Sequence, residues 1–134
     1  MAGYSKTPLF RKLGLKPGMR AYCANPPDNY LELLGSDTPE VQWQKTISSG
    51  INFLHLFTKS SVELKQTLLL FLKHMDRDGM VWISWPKKAS KVPTDIVEDT
   101  IRAECLPLGL VDVKVCAVDD TWSGLKLMIR KELR

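Results

Sequence analysis

The chain has 134 residues, 44% of them hydrophobic and 25% charged, with 19 basic against 15 acidic side chains for a formal net charge of +4. That balance fits one packed globular domain over residues 1–134 and calls for no membrane partner, because the longest apolar run, residues 68–72, is far too short to cross a bilayer. No leader of basic, apolar and small residues opens the sequence, and a cytoplasmic location is expected. Cys23, Cys105 and Cys116 are widely spaced without a CxxC pair, which argues against a disulfide framework and a metal site and for core positions. Lys6, Arg11, Lys12, Lys16 and Arg20 precede the first acid, Asp28. No aromatic-interleaved RNA motif accompanies them, so they read as a solvated basic face and nucleic acid is not expected as a partner.

In chain order, residues 7–13 read as a short helix, with Thr7 as N-cap, Pro8 in the first turn, an apolar stripe of Leu9, Phe10 and Leu13, and Gly14 as the stop. Residues 19–24 form a first strand between Pro17-Gly18 and Asn25-Pro26-Pro27. A helix starting at Pro27-Asp28 and ending at Gly35 follows, with Tyr30, Leu31, Leu33 and Leu34 as its apolar side. Residues 41–45 suit an edge strand, since Gln42, Gln44 and Lys45 are poor candidates for burial. Residues 51–58 are apolar on both faces, as a central strand of a covered parallel sheet should be.

Residues 60–75 are the clearest helix, opened by a Ser60-x-x-Glu63 capping box and carrying Leu64, Leu68, Phe71, Leu72 and Met75 at helical spacing. Asp76 to Gly79 reads as a turn, residues 80–85 as a strand stopped by Pro86, and residues 87–93 as a basic loop. Thr94 is expected to cap a helix bearing Val97, Ile101 and Cys105, with a Glu98 to Arg102 pair, before Pro107 and Gly109 end it. Residues 110–118 and 125–132 then form two antiparallel strands joined by a loop over 119–124. Alternating strands and helices mean right-handed crossovers and an α/β, Rossmann-like three-layer sandwich with a mainly parallel sheet.

The closing hairpin resembles that of the S-adenosylmethionine-dependent methyltransferases. The resemblance implies a strand order 2-1-3-4-6-5, with the last strand antiparallel and inserted between its two predecessors. A second set of motifs covers nearly the whole chain: Gly3-Tyr4-Ser5, Thr7-Pro8-Leu9, Lys16-Pro17-Gly18-Met19-Arg20, His55-Leu56-Phe57, Asp78-Gly79-Met80, Ser84-Trp85-Pro86-Lys87-Lys88 and Trp122-Ser123-Gly124-Leu125-Lys126. These resemble an uncharacterised bacterial domain-of-unknown-function family, with Lys6 where that family carries glycine. The resemblance implies a bacterial origin and no particular reaction.

Lys16 to Arg20 also resembles the lead-in to the first methyltransferase motif, where the strand should run into an acid and a GxG turn. Here Cys23-Ala24-Asn25-Pro26-Pro27 follows, and two prolines remove amide donors that would face a nucleotide. No acid ends the second strand, over 42–46. The sequence therefore leads to the expectation of no cofactor, S-adenosylmethionine included, and of a degenerate, non-catalytic domain that binds a small anionic ligand or a partner protein. An enzyme with an altered cofactor-binding mode is the alternative, and a weak nucleic-acid binder using Arg11, Lys12 and Arg20 is another.

Ligands of open parallel sheets sit beyond the carboxyl ends of the strands. The ligand-binding candidates there are Asn25, Asn29, Ser84, Trp85, Lys87, Lys88, Trp122 and Ser123, with Trp85, Trp122 and the two lysines as an aromatic and basic rim for an anion, or else as a lock on the closing hairpin. No catalytic residue is assigned. His55 within a strand reads as a hydrogen-bonded core histidine rather than a base for Cys23, and Ser84 and Ser123 lack a GxSxG elbow.

Overall fold

The alternation read from the sequence is the order seen in the computed structural model, which describes residues 7–134. The Gly3-Tyr4-Ser5 motif and Lys6 lie outside the described residues. Helix α1 spans Leu9–Leu13, strand β1 Arg20–Ala24, α2 Tyr30–Leu34, β2 Gln42–Trp43, β3 Ile51–Phe57, α3 Ser61–His74 and β4 Met75–Pro86. Helix α4 spans Glu98–Cys105, β5 Leu110–Ala117 and β6 Trp122–Ile129. The six strands form one sheet in the order β2-β1-β3-β4-β6-β5. Strands β1 to β4 pair in parallel, and β6 runs antiparallel to both β4 and β5. The expected fold and strand order are those observed.

Period-two alternation along β3 and β4 sorts the core into two layers. Leu54, Leu56, Ile83 and Trp85 face α3 and α4, where Leu64, Leu68, Phe71, Ile101 and Cys105 are buried. Phe53, Phe57 and Trp82 face the other way, against Leu9, Phe10 and Leu13 of α1 and Tyr30 and Leu34 of α2. Each fully buried Leu or Phe contributes about 1.5–3 kcal/mol of transfer free energy. The indole of Trp82 ties the second layer together. Its Nε1–H donates to the Leu13 carbonyl (2.8 Å), one of the carbonyls that a helix end leaves without an internal partner.

Several boundaries differ from the sequence reading. Met75, which fits the helical spacing, is the first residue of β4, opposite Ile51. The next pair is Phe53 with Met80, so the segment expected to be a turn, Asp76 to Gly79, loops out of a continuing strand. A Cβ at Gly79 would sit 2.9 Å from the Asp76 carbonyl oxygen and 3.1 Å from that of Asn52, which is why glycine stands there. Helix α4 begins at Glu98 rather than after Thr94, whose hydroxyl accepts from Ile96 N–H and donates to the Lys59 carbonyl. Strand β6 starts at Trp122, leaving a shorter loop, because Trp122, Ser123 and Gly124 pair with Pro86, Trp85 and Ser84. Strand β2 shrinks to two residues.

One irregularity in β5 proves consequential. Asp112 lies opposite Leu127, but Lys114 lies opposite Lys126, so Val113 is an extra, unpaired residue.

Candidate functional site

The sheet's order reverses around β1, whose neighbours are β2 on one side and β3 on the other, and such a switch point leaves a crevice at the carboxyl ends of the strands. The chain leaves β1 at Asn25 with φ +57°, in the left-handed region where glycine is usual and asparagine is the best-tolerated alternative. The Asn25 side-chain amide donates to the Phe57 carbonyl (3.2 Å), which fixes the end of β1 to the end of β3. The bend that a GxG turn would provide is thus present, made by a different residue.

Beyond β3, Thr58 is buried, and its backbone N–H donates to the Ser84 carbonyl (3.0 Å). The Thr58 hydroxyl donates to Glu63 Oε1 (2.5 Å) and accepts from Ser60 N–H (3.2 Å). Ser60 Oγ in turn accepts from Glu63 N–H (3.3 Å). The expected capping box is therefore half formed. Ser60 caps the helix as anticipated, but the Glu63 carboxylate turns to Thr58 instead of the Ser60 amide.

These groups surround a cleft of about 420 Å³ lined by Asn25, Phe57, Thr58, Lys59, Ser60, Glu63 and Trp122. It offers a carboxylate, an ammonium, two hydroxyls and a carboxamide beside the rings of Phe57 and Trp122, which meet edge to face at 5.1 Å. That size and mixture suit a small polar ligand with one flat ring.

Directly under the Phe57 ring, and stacked on it at 4.3 Å, lies His55. Its Nε2 is 2.7 Å from Ser84 Oγ and its Nδ1 is 2.8 Å from Tyr30 Oη. Tyr30 also shares a hydrogen bond with Cys23. One arrangement satisfies every member: Ser84 O–H donates to Nε2, Nδ1–H donates to Tyr30 Oη, and Tyr30 O–H donates to Cys23 Sγ. Burial lowers the His55 pKa to about 3, and the ring is neutral at physiological pH. Burial, opposed by the Tyr30 hydrogen bond, pushes the Cys23 thiol up to about 12. Desolvation first, then Cys23, raises Tyr30 above its ordinary range as well.

The candidates named from sequence are spread over three environments. Asn25 and Trp122 line the cleft. Ser84 is fully buried beneath it on His55, and Asn29 is exposed ahead of α2 without a side-chain cap. Trp85 is buried on the α3–α4 face and Trp122 packs on the opposite face, so the two tryptophans do not form one rim. Lys87 donates its backbone N–H to the Thr121 carbonyl (2.8 Å), Lys88 is exposed, and Ser123 pairs with Trp85. Thr58 and Ser60 stand at the carboxyl edge after the third strand, as the sequence suggests, whereas Lys59 and Glu63 escaped the sequence reading as cleft residues. The available signal was the Ser60-x-x-Glu63 pattern itself, which places an acid one turn into a helix that starts at a strand's carboxyl end.

Among solved structures, the chain is similar to a ribosomal protein L11 methylase from Lactobacillus delbrueckii subsp. bulgaricus, with TM-score 0.58 and 12% identity over 90% of this chain and 74% of that one. It is similar to a protein in the NADB-Rossmann superfamily from Streptococcus agalactiae, with TM-score 0.56 and 9% identity over 96% of this chain and 70% of that one. The chain has a methyltransferase-like Rossmann fold. LepI, solved in complex with SAM, aligns with TM-score 0.55 and 12% identity over 91% of this chain, which spans only 39% of LepI. No protein-family profile matches the chain, and no curated protein matches its sequence.

These likenesses overturn two expectations. A degenerate, non-catalytic domain is set aside because the same architecture is carried by a methylase, and the exclusion of a cofactor is set aside because the architecture is seen with SAM bound. Part of the physical ground for that exclusion also fails, although Pro26 and Pro27 still offer no amide donors. It required glycine after β1, whereas Asn25 adopts the left-handed turn itself. The second handle, an acid near the ribose, is absent at the end of β2, but Glu63 brings a carboxylate to the cleft from α3.

Proposed function

We propose that this chain is an enzyme of the methyltransferase fold that binds S-adenosylmethionine at the carboxyl ends of β1 and β3 through side chains, in place of the amides of a glycine turn. The observation that carries the reading is the cleft itself: a left-handed turn at Asn25, a carboxylate at Glu63 and exposed ring surface at Trp122 converge on one crevice at the switch point. The donor set fits the cofactor. Glu63 would accept from ribose hydroxyls, Asn25 and Ser60 would meet its polar edges, and Phe57 with Trp122 would flank the adenine. When bound, the cofactor supplies a methyl group activated by its sulfonium. This chain's residues hold and orient it, and the Phe57 ring separates the cleft from the neutral His55 below. The same proposal keeps the bacterial origin suggested by the sequence motifs and the cytoplasmic location suggested by three free thiols.

Isothermal titration with S-adenosylmethionine and S-adenosylhomocysteine tests it. Saturable binding in the micromolar range is expected. Glu63→Gln keeps the acceptor for Thr58 but removes the charge, and should weaken binding about ten-fold, the cost of about 1.4 kcal/mol in a charge-assisted hydrogen bond. No heat and no competition at millimolar ligand, with the protein folded, refutes the reading.

A further inference from the structure

The two faces of the β5–β6 hairpin carry charge very differently. On the α4 face, Arg102 gathers Glu98, Asp99 and Asp112, so positive and negative charge balance locally. On the α1 face they do not. Lys126 lies opposite Trp82 in β4 and opposite Lys114 in β5, and residues directly opposite one another project to the same side of a sheet. That side is the one where the Trp82 indole meets the Leu13 carbonyl at the end of α1, next to Lys12 and Lys16. Among the described residues, no carboxylate lies within ion-pair distance of Lys12, Lys16, Lys114 or Lys126.

Like charges placed directly opposite on a sheet repel, and the arrangement here is built in rather than accidental. Were β5 regular, Val113 would face Lys126 and Lys114 would point to the α4 side. The extra residue at Val113 turns Lys114 over to meet Lys126. Lys126 is half-buried, and burial followed by Lys114 and Lys16 holds its ammonium below the usual lysine range. Burial raises the Cys116 thiol, and the nearby Lys12 and Lys114 ammonium groups oppose that shift. The group this cluster lacks is an anion.

Position along the strand narrows the kind of anion. Trp122 lies on the same face of β6, four residues from Lys126 and so about 13 Å along the strand, with Gly124, covered by Trp82 and Val118, between them. A cluster of ammonium groups with a partly exposed indole farther along the same face matches a strand of phosphodiesters with a base at its end, since phosphates meet the cations and a base stacks on the ring. We propose that the α1 face of β5 and β6 binds a single strand of nucleic acid and leads it toward the cleft. The surface differs from the N-terminal one weighed from sequence, because Arg20 is engaged with Ser48 and Ser49. It stands whether or not the cleft holds S-adenosylmethionine.

The test is fluorescence anisotropy with a labelled 20-nucleotide oligouridine and the full chain at 50 and 200 mM salt. Two double variants are compared: Lys114→Gln with Lys126→Gln, and Lys65→Gln with Lys73→Gln, which remove the same charge from exposed sites on α3. The first should weaken binding about ten-fold and lower the slope of log K against log salt by about 1.4, the loss of two phosphate contacts on a single strand. The second should change affinity less than two-fold. Because the first variant relieves repulsion, its Tm should equal or exceed that of the parent, so weaker binding is not a folding defect. Absence of saturable binding, equal losses in both variants, or displacement of the oligonucleotide by an equal charge of polyglutamate would each overturn the proposal, the last in favour of an acidic protein partner.

Discussion

Replacing Tyr30 with Phe, His55 with Leu and Ser84 with Ala together is expected to flatten the acid limb of the stability curve. In the folded chain burial lowers the His55 pKa to about 3 from its ordinary value of 6.5. A histidine held neutral in this way contributes stability that is complete above the unfolded pKa and is lost as pH falls below it, since the unfolded chain then binds a proton that the folded chain refuses. Each pH unit below 6.5 costs about 1.4 kcal/mol, so the loss between pH 7.5 and pH 5 is about 2 kcal/mol, and it continues toward pH 3. The triple variant removes this titration and leaves only the Cys23 sulfur, a weak acceptor, without its partner, which keeps the change near neutral at pH 7.5. Tyr30→Phe alone lacks that compensation and should cost about 1–3 kcal/mol by leaving His55 Nδ1–H unpaired. Urea denaturation of parent and triple variant at pH 5, 6 and 7.5 measures the difference. If the parent loses no more stability than the variant over that range, His55 is not buried neutral and the hydrogen-bond chain is misassigned.

Further outcomes follow from the packing. Gly79→Ala forces a Cβ against two backbone carbonyls and should cost about 1–3 kcal/mol by thermal denaturation, whereas a change below about 0.5 kcal/mol would mean that the looped-out segment yields freely. Trp82→Phe leaves the buried Leu13 carbonyl without its donor, and a loss of about 1–3 kcal/mol is expected in the same assay. Ser60→Ala removes the N-cap of α3 and should cost about 1 kcal/mol. With its pKa pushed up to about 12, Cys23 should resist a thiol-reactive dye at pH 8 until the protein is unfolded, and rapid labelling of Cys23 in the native protein would contradict the burial described.

The covered, mainly parallel sheet was legible because apolar runs such as Ile51 to Phe57 must be buried on both faces, and the closing hairpin because a short loop makes the last two strands antiparallel neighbours, whereas the order of the strands came only through the resemblance to the methyltransferases. A left-handed turn is a conformation, and glycine is only one of the residue types that adopt it. Asn25 satisfies the left-handed turn that was sought as glycine, and no local pattern distinguishes such an asparagine from one in any other loop. Tyr30 read as one more apolar position of a helix, yet its hydroxyl links His55 to Cys23 across three elements. Sequence spacing carries no record of that contact. The Val113 irregularity is similarly hidden, since Val111, Val113 and Val115 alternate as in a regular strand and only pairing with β6 shows that the middle one is left out.

The place of β6 between β4 and β5 also constrains the order in which the chain can assemble. Until residues 122–129 have been made, β5 has no strand to pair with, and the edge of β4 from Met80 to Trp85 stays open, with some of the most apolar surface in the molecule on either side of it. An emerging chain therefore carries an unpaired, hydrophobic edge from the completion of β4 until β6 is made, a state prone to association with other chains. Arrival of β6 closes that edge, pairs β5 and completes the ladder beside Trp82 in a single step. A ribosome stalled before Trp122 would thus hold a chain whose helices and first four strands are made but whose sheet is still a template for aggregation.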